Sequence, residues 1–396
     1  MISNLMRSKV GSNSAIRRMF EEGKKLSALY GPENVYDFSL GNPNVPAPDQ
    51  VRDAMIDILE TEDPLKLHGY MSNAGFDETR QAIADDLNGR FGTAYGLGNV
   101  VMTAGAGAAM NITMKALLDP GDEVVVFAPY FLEYNNYITN FGAVPVVVSP
   151  DTESGFMPNI AEMCGKITPR TKAVIVNNPN NPTGAVYPEA VIRKLAAALE
   201  AKQAEFGTVI YIISDEPYRE LVYGDAVAPH IPDIYPNTVV CYSYSKSLSL
   251  PGERIGYVLV PPQSDGPEEF VAALTSANRY LGIVNAPSLM QLAIAQCTDL
   301  RSNVAFYERN GADLYAGLTA MGYECMKPDG AFYLWVKCPI EDDAAFCEEL
   351  KGERVLATPG SAFMGPGYFR LSYCVSHETV MNSMPAFKKV AERYFG

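Results

Sequence analysis

The sequence predicts an α/β protein with a large domain built on a mostly parallel sheet flanked by helices and a smaller α/β domain made from the two chain ends. Short Val/Ile-rich runs alternate with longer helix-like stretches between residues about 99 and 260, the pattern of a sheet covered by helices. At 396 residues the chain also exceeds what one hydrophobic core usually serves. Beyond Pro287 the pattern changes to long helical stretches around one aromatic-rich run. These observations put residues 49–287 in the large domain, and 1–48 with 288–396 in the small domain and its N-terminal arm.

The elements follow in order. Ser14 to Leu26 reads as an amphipathic helix of the mature protein, with Ile16, Met19, Phe20 and Leu26 mostly on one side. The basic residues before it, and the lack of acidic ones through Phe20, only superficially resemble a transit peptide. Gly41–Pro48 is too proline-rich for a helix interior and reads as a rigid extended connection. Strand runs begin at Asn99–Met102 and Glu123–Val126 and continue at Val144–Val148, Lys172–Val176, Thr208–Ile213, Thr238–Cys241 and Gly256–Val260. A helical stretch from Pro287 to about Met321 precedes a strand at Ala331–Val336 and a final helix from Glu378 onward.

Composition excludes several functions. The net charge of −15 disfavours nucleic acid or an anionic membrane as partner. No apolar run approaches the length of a membrane span. Seven cysteines without a CxxC pair point to reduced thiols in a cytoplasm, and His68, His230 and His377 lack the spacing of a metal site.

Ligands of such sheets bind beyond the carboxyl ends of the strands, and Gly105, Asn178, Asp215 and Ser243 each fall at or just after one. The richest stretch is Ser243–Gly256. It sets Lys246 among hydroxyls at a strand's end, where a lysine can be partly desolvated near a second cation, Arg254. Taken singly, Lys246 could be a loop charge, Asp215 a turn cap, Phe131 a packed aromatic and Arg370 a surface ion-pair former.

The ordered set Ser39–Pro43, Asn177–Gly184, Ser214–Tyr218, Ser243–Gly256, Gly360–Phe363 and Phe369–Ser372 resembles the pyridoxal-phosphate-dependent aminotransferases of fold type I, class I/II, over nearly the whole chain. The resemblance implies a ping-pong transfer of an amino group between an L-amino acid and a 2-oxo acid, with Lys246 as the Schiff-base lysine and proton carrier. It further implies that Ala106 and Gly107 N–H groups, the Ser243 hydroxyl and Arg254 hold the phosphate, and that Asp215 keeps the pyridine nitrogen protonated. Tyr218 and Asn181 would bond the phenolic oxygen, and Phe131, with Tyr130 and Tyr134 as neighbours, would stack on the ring. Arg370, Asn181 and Gly41 would bind the substrate, with Arg370 and the Gly41 backbone at its carboxylate. Tyr70 would reach the phosphate of a neighbouring subunit, making the active unit a homodimer.

Some acidic-substrate members of the family carry a cation in the phosphate turn. Gly107 offers none, so dicarboxylates gain no support by that route. The same scaffold hosts carbon–sulfur β-lyases, the alternative reaction outcome. A non-catalytic regulator that binds pyridoxal phosphate or amino acids is the alternative of a different class.

Overall fold

The computed structural model describes residues 2–3, 6–7 and 15–396. The first helix runs Ala15–Tyr30, one turn beyond the expected Leu26; Ser14 and the side chains of Ile16 and Phe20 lie outside what is described. A short strand, β1 (Tyr36–Asp37), follows, and Gly41–Pro48 lacks regular structure, as its prolines require.

Seven strands form the main sheet: β2 (Val100–Thr103), β3 (Glu123–Phe127), β4 (Val144–Val148), β5 (Thr171–Asn177), β6 (Tyr211–Asp215), β7 (Thr238–Ser243) and β8 (Gly256–Leu259). Their order is β2-β8-β7-β6-β5-β3-β4, and only β8 runs against its neighbours. Central strands such as β6 are buried throughout, which is why they read as continuous apolar runs rather than alternating ones. The run read as Thr208–Ile213 pairs only from Tyr211, because side chains claim the preceding backbone: Gln203 Oε1 accepts from the Ile210 N–H, and Tyr235 donates to the Ile210 carbonyl. Asp215 therefore ends β6 inside the ladder, opposite Cys241.

A second, antiparallel sheet contains β9 (Cys325–Met326), β10 (Tyr333–Lys337), β12 (Thr358–Pro359) and β13 (Tyr368–Ser372), while β11 (Val355–Leu356) pairs with β1. The run read from Ala331 starts two residues late as a strand because Ala331 takes a positive φ of 56° and donates to the Leu221 carbonyl instead. Phe38, Leu314, Phe346, Phe369 and Phe387 share the core around this sheet, so both chain ends build it.

The helical stretch expected over Pro287–Met321 is two helices, Ser288–Ala295 and Val304–Ala320. The first packs into the core beside the main sheet, against the helices Asp49–Thr61 and Asp77–Phe91. Between the two, the chain bends inward: Arg301 pairs with Glu220 at 3.1 Å, and Ser302 N donates to the Ser247 carbonyl at 2.7 Å. Asn303 then caps the next helix by accepting from Phe306 N. The break anchors the turn that carries Lys246.

Trp335, the chain's one tryptophan, is completely buried on β10, stacked on Tyr368 and met edge-on by Phe156 and Phe363. Trp335→Ala is expected to cost about 3–5 kcal/mol of stability in urea unfolding followed by circular dichroism. A loss below about 1 kcal/mol would show that this aromatic cluster contributes little to the fold.

Candidate active site

The carboxyl ends of β2, β3, β5, β6 and β7 and the amino end of β8 converge on a cavity of about 240 Å³. Its lining brings together Gly41, Ala106, Gly107, Phe131, Asn181, Asp215, Tyr218, Lys246 and Arg370, nine of the residues singled out in the sequence.

Lys246 sits on a helical turn, Tyr244–Ser247, directly after β7, and Ser243 caps that turn through its hydroxyl, which accepts from Ser245 N at 3.2 Å. The lysine Nζ donates to the Gly41 carbonyl at 2.6 Å and lies 5.3 Å from the centre of the Phe332 ring. Among the described residues no carboxylate pairs with it. Burial lowers its pKa from 10.5 to about 8, with the Arg370 and Arg254 charges acting in the same direction and Cys374 opposing.

Asp215 is its electrostatic counterpart. Tyr134 donates a very short hydrogen bond to its Oδ2, and Asn177 Nδ2 donates to its backbone carbonyl at 2.9 Å. Asn177 also accepts from Asn181 N at 2.7 Å, so one side chain fixes the ends of two adjacent strands. No cation bonds Asp215 among the described residues. Burial raises its carboxyl to about 7, against the hydrogen bond from Tyr134 and with a further upward push from Glu216. Glu216, by contrast, is paired with Arg219.

Arg370, on β13 opposite Trp335, is 2% exposed. It donates from Nη1 to Asn181 Oδ1 at 2.9 Å and from Nη2 to the Ser39 carbonyl at 2.8 Å, while its Nε has no partner. The rings of Tyr333 and Phe363 lie 4.5 and 4.6 Å from the guanidinium. The groups that bond it or stack on it are neutral. Tyr218 and Tyr333 share a hydrogen bond of 2.7 Å between their hydroxyls. A side chain at Gly41 would place its Cβ 2.3 Å from the Tyr333 hydroxyl, so the close approach of this backbone requires glycine.

Ala106 and Gly107 open the helix Ala106–Leu117, whose first backbone donors precede any intrahelical bond. Gly105 enters that helix at φ 79°, and a Cβ there would lie 2.6 Å from Arg254 Nη2. Arg254 is exposed and donates to the Ala104 and Pro251 carbonyls; with Ser243, it stands beside the cavity without lining it. Tyr70 lies elsewhere, 95% exposed, in a surface hollow with His68, Met71, Ile283 and Val284.

Sequence reasoning did not assign Tyr333, Tyr137 or Met110 to the site, and it took Asn177 and Tyr134 only as parts of their motifs. The signal for Tyr134 was its place in the aromatic cluster with Tyr130 and Phe131, just inside the helix Glu133–Thr139. Nothing local marked Tyr333, whose partner Tyr218 is 115 residues away.

The sequence profile described as aminotransferase class I and II matches residues 33–386. A probable aspartate/prephenate aminotransferase from Aquifex aeolicus is 35% identical, covering 91% of each chain, and the aspartate/prephenate aminotransferase of Thermus thermophilus is 33% identical over 97% of this chain and 96% of its own. Among solved structures, an aminotransferase from Eubacterium rectale superposes with a TM-score of 0.97 at 48% identity, covering 100% of both chains. The aspartate aminotransferase of Thermus thermophilus with maleate gives 0.86 at 29% identity, covering 98% of this chain and 100% of that one. With this fold and these relatives, the chain belongs to the class I and II aminotransferases, enzymes that use pyridoxal phosphate to pass an amino group between amino and oxo acids.

Proposed function

We propose that the cavity at the strand ends is the catalytic site of this aminotransferase, with Lys246 as the bonding and proton-carrying amine. The observation that carries the reading is that buried Asp215 and Arg370 and half-buried Lys246 line one cavity without a bonded counter-charge among the described residues. Such groups are costly unless a ligand completes them. Pyridoxal phosphate and an amino acid carry complementary groups: an aldehyde for Lys246, a basic ring nitrogen for Asp215 and a carboxylate for Arg370. When bound, the cofactor supplies a carbonyl that bonds amines and a ring that draws electrons from the substrate α-carbon.

The chain's own groups would do the rest. Ser243, Arg254 and the open N–H groups of Ala106 and Gly107 suit the phosphate. Phe131 suits the ring face, and Tyr218 with the amide of Asn181 suits the phenolic oxygen. Tyr134 is positioned to hold Asp215 in one orientation. Arg370 suits a carboxylate because two of its nitrogens are fixed by neutral acceptors. Lys246 Nζ, neutral in part near pH 8, is the atom that takes the α-proton and returns it.

We infer in addition a homodimer in which Tyr70 reaches the phosphate of the other subunit; its near-complete exposure supports this, as do the exposed Leu65 and Tyr280. A reducing, cytoplasmic setting is supported by the seven free thiols. The two-domain reading is supported by the separate core around the second sheet, with helix Ser288–Ala295 belonging to the main one.

The decisive experiment adds single amino acids to the cofactor-loaded protein without any oxo acid. Absorbance should shift to that of the aminated cofactor and return when an oxo acid is added. Ammonia release with an unchanged spectrum would instead mean a lyase. Lys246→Ala should lose about 10²- to 10⁴-fold in this half-reaction, and near-normal turnover in that variant would overturn the assignment.

Capture of the cofactor aldehyde by cofactor-free protein needs a neutral amine. Its rate should therefore rise with pH through about 8, and Arg370→Leu, which removes a cationic neighbour, should move the midpoint upward. A midpoint near 10.5, the ordinary lysine value, would refute the desolvated Lys246.

Asp215 binds a proton in the folded chain between its ordinary 3.8 and about 7, so its ionisation opposes folding as pH rises through that window. Asp215→Asn should stabilise the cofactor-free protein by about 1–3 kcal/mol at pH 8, with the gain shrinking toward about pH 4, while abolishing most turnover. Thermal unfolding at the two pH values measures it.

A further inference from the structure

We propose that Glu220, which lies outside the cavity, is a positioning residue of the reaction: it fixes the turn that carries Lys246 against the turn that begins with Tyr218. The inference rests on the cavity being the aminotransferase site. It adds a residue that lines no part of that cavity.

The segment leading to Glu220 faces two ways. Asp215, Pro217 and Tyr218 line the cavity, whereas Glu216 turns to Arg219 behind it. The Leu221 amide donates to the Tyr218 carbonyl at 2.8 Å, which closes a turn with Glu220 inside it. The Glu220 side chain is 10% exposed, and both of its oxygens accept from Arg90 Nη2, at 2.9 and 3.0 Å. Arg301 Nε stands 3.1 Å from the same carboxylate. Asp86 meets Arg90 at 3.3 Å, so two carboxylates and two guanidiniums balance in charge. Arginine–carboxylate pairs carry directional hydrogen bonds as well as charge, and they restrain the chain on both sides.

Two routes run from Glu220 to the Lys246 turn. One passes through side chains: the Tyr242 hydroxyl stands 3.3 Å from Glu220 Oε1 and 2.9 Å from Ser247 Oγ. Tyr242 is buried against the rings of Tyr244 and Tyr257, at 5.1 and 4.9 Å, so packing fixes where its hydroxyl points. The other route passes through the main chain. Arg301 adjoins Ser302, whose amide donates to the Ser247 carbonyl at 2.7 Å and whose hydroxyl donates to the Lys246 carbonyl at 3.3 Å. Arg301 is itself pinned through Nη1 to the Thr298 and Leu300 carbonyls, at 2.7 and 2.6 Å. The backbone on which the Lys246 amine pivots is thus held by groups that lead back to one carboxylate. Displacing a reacting group by about 1 Å can cost roughly 10²-fold in rate.

The test uses Glu220→Gln, the single-route variants Tyr242→Phe and Arg301→Gln, and a control, Glu123→Gln. The Glu123 side chain is similarly buried and pairs with Arg170 at 2.7 Å, but at the amino end of β3, away from the cavity. Each protein is loaded with cofactor and mixed with the amino acid that the spectral experiment identifies as donor. The readouts are the limiting rate of the half-reaction and the amino-acid concentration that gives half of it. Glu220→Gln should lower the limiting rate at least roughly tenfold, and each single-route variant roughly threefold or more. The half-saturating concentration should change by less than about twofold, because the Arg370 grip is built on the second sheet. Glu123→Gln should leave both readouts within about twofold. A Glu220→Gln protein with a near-normal limiting rate would overturn the inference. So would an equal loss in Glu123→Gln, which would trace the effect to stability alone. If Glu220→Gln does not fold, full rates in both single-route variants overturn the proposal, and losses at unchanged half-saturation support it. An unaltered protein that converts no amino acid would remove the aminotransferase reading and this inference with it.

Discussion

Three ionisable groups held by neutral partners, with no bonded counter-charge, set the terms for everything around the cavity. Lys246, Arg370 and Asp215 line one cavity, and none of them is ion-paired with a described residue. Glu216 is instead paired with Arg219, and Glu220 with both Arg90 and Arg301, while buried Asp343 accepts from the Ser361 amide. On the function proposed above, the unpaired groups lining the cavity are the ones held for a ligand. The cavity is a place where the fold accepts a penalty that the bound cofactor and substrate would offset.

Holding such groups in place takes many neutral contacts. The turn bearing Lys246 is bonded from both sides, through the Ser302 amide to the Ser247 carbonyl and through Tyr242 to the Ser247 hydroxyl and Glu220. Glu220 in turn lies two residues from Tyr218, so the phenol and the lysine share one buried ionic anchor. Arg370 is fixed by carbonyl oxygens instead of carboxylates, which leaves its charge available while restricting its direction.

The strands of the main sheet were legible because each is a compact Val/Ile-rich run ending in a polar turn, and the ends of such runs are where parallel sheets place their ligands. Lys246, Asp215 and Asn181 stand at or after such ends, whereas Arg370, on a strand of the second sheet, was readable only through the resemblance carried by the ordered motifs. What stayed hidden depends on distant packing. Tyr134 meets Asp215 across 81 residues, and Tyr333 completes the phenol pair from the second sheet. The break at Gln296–Asn303 was legible in principle and was missed: Thr298, Asp299, Ser302 and Asn303 favour caps and turns over helix interiors, and Asn303 caps the helix that follows.

The hydrogen bond from Arg370 to the Ser39 carbonyl joins residues 331 positions apart. At about 5–20 residues per second a ribosome needs tens of seconds to make that interval. Through all that time the segment around Ser39 waits beside a main sheet that can already be folding, with its partner still unmade. The parts that suit the cofactor, between Gly105 and Arg254, emerge well before the substrate grip closes. The bond between Ser39 and Arg370 is therefore among the last contacts of the cavity that synthesis allows to form.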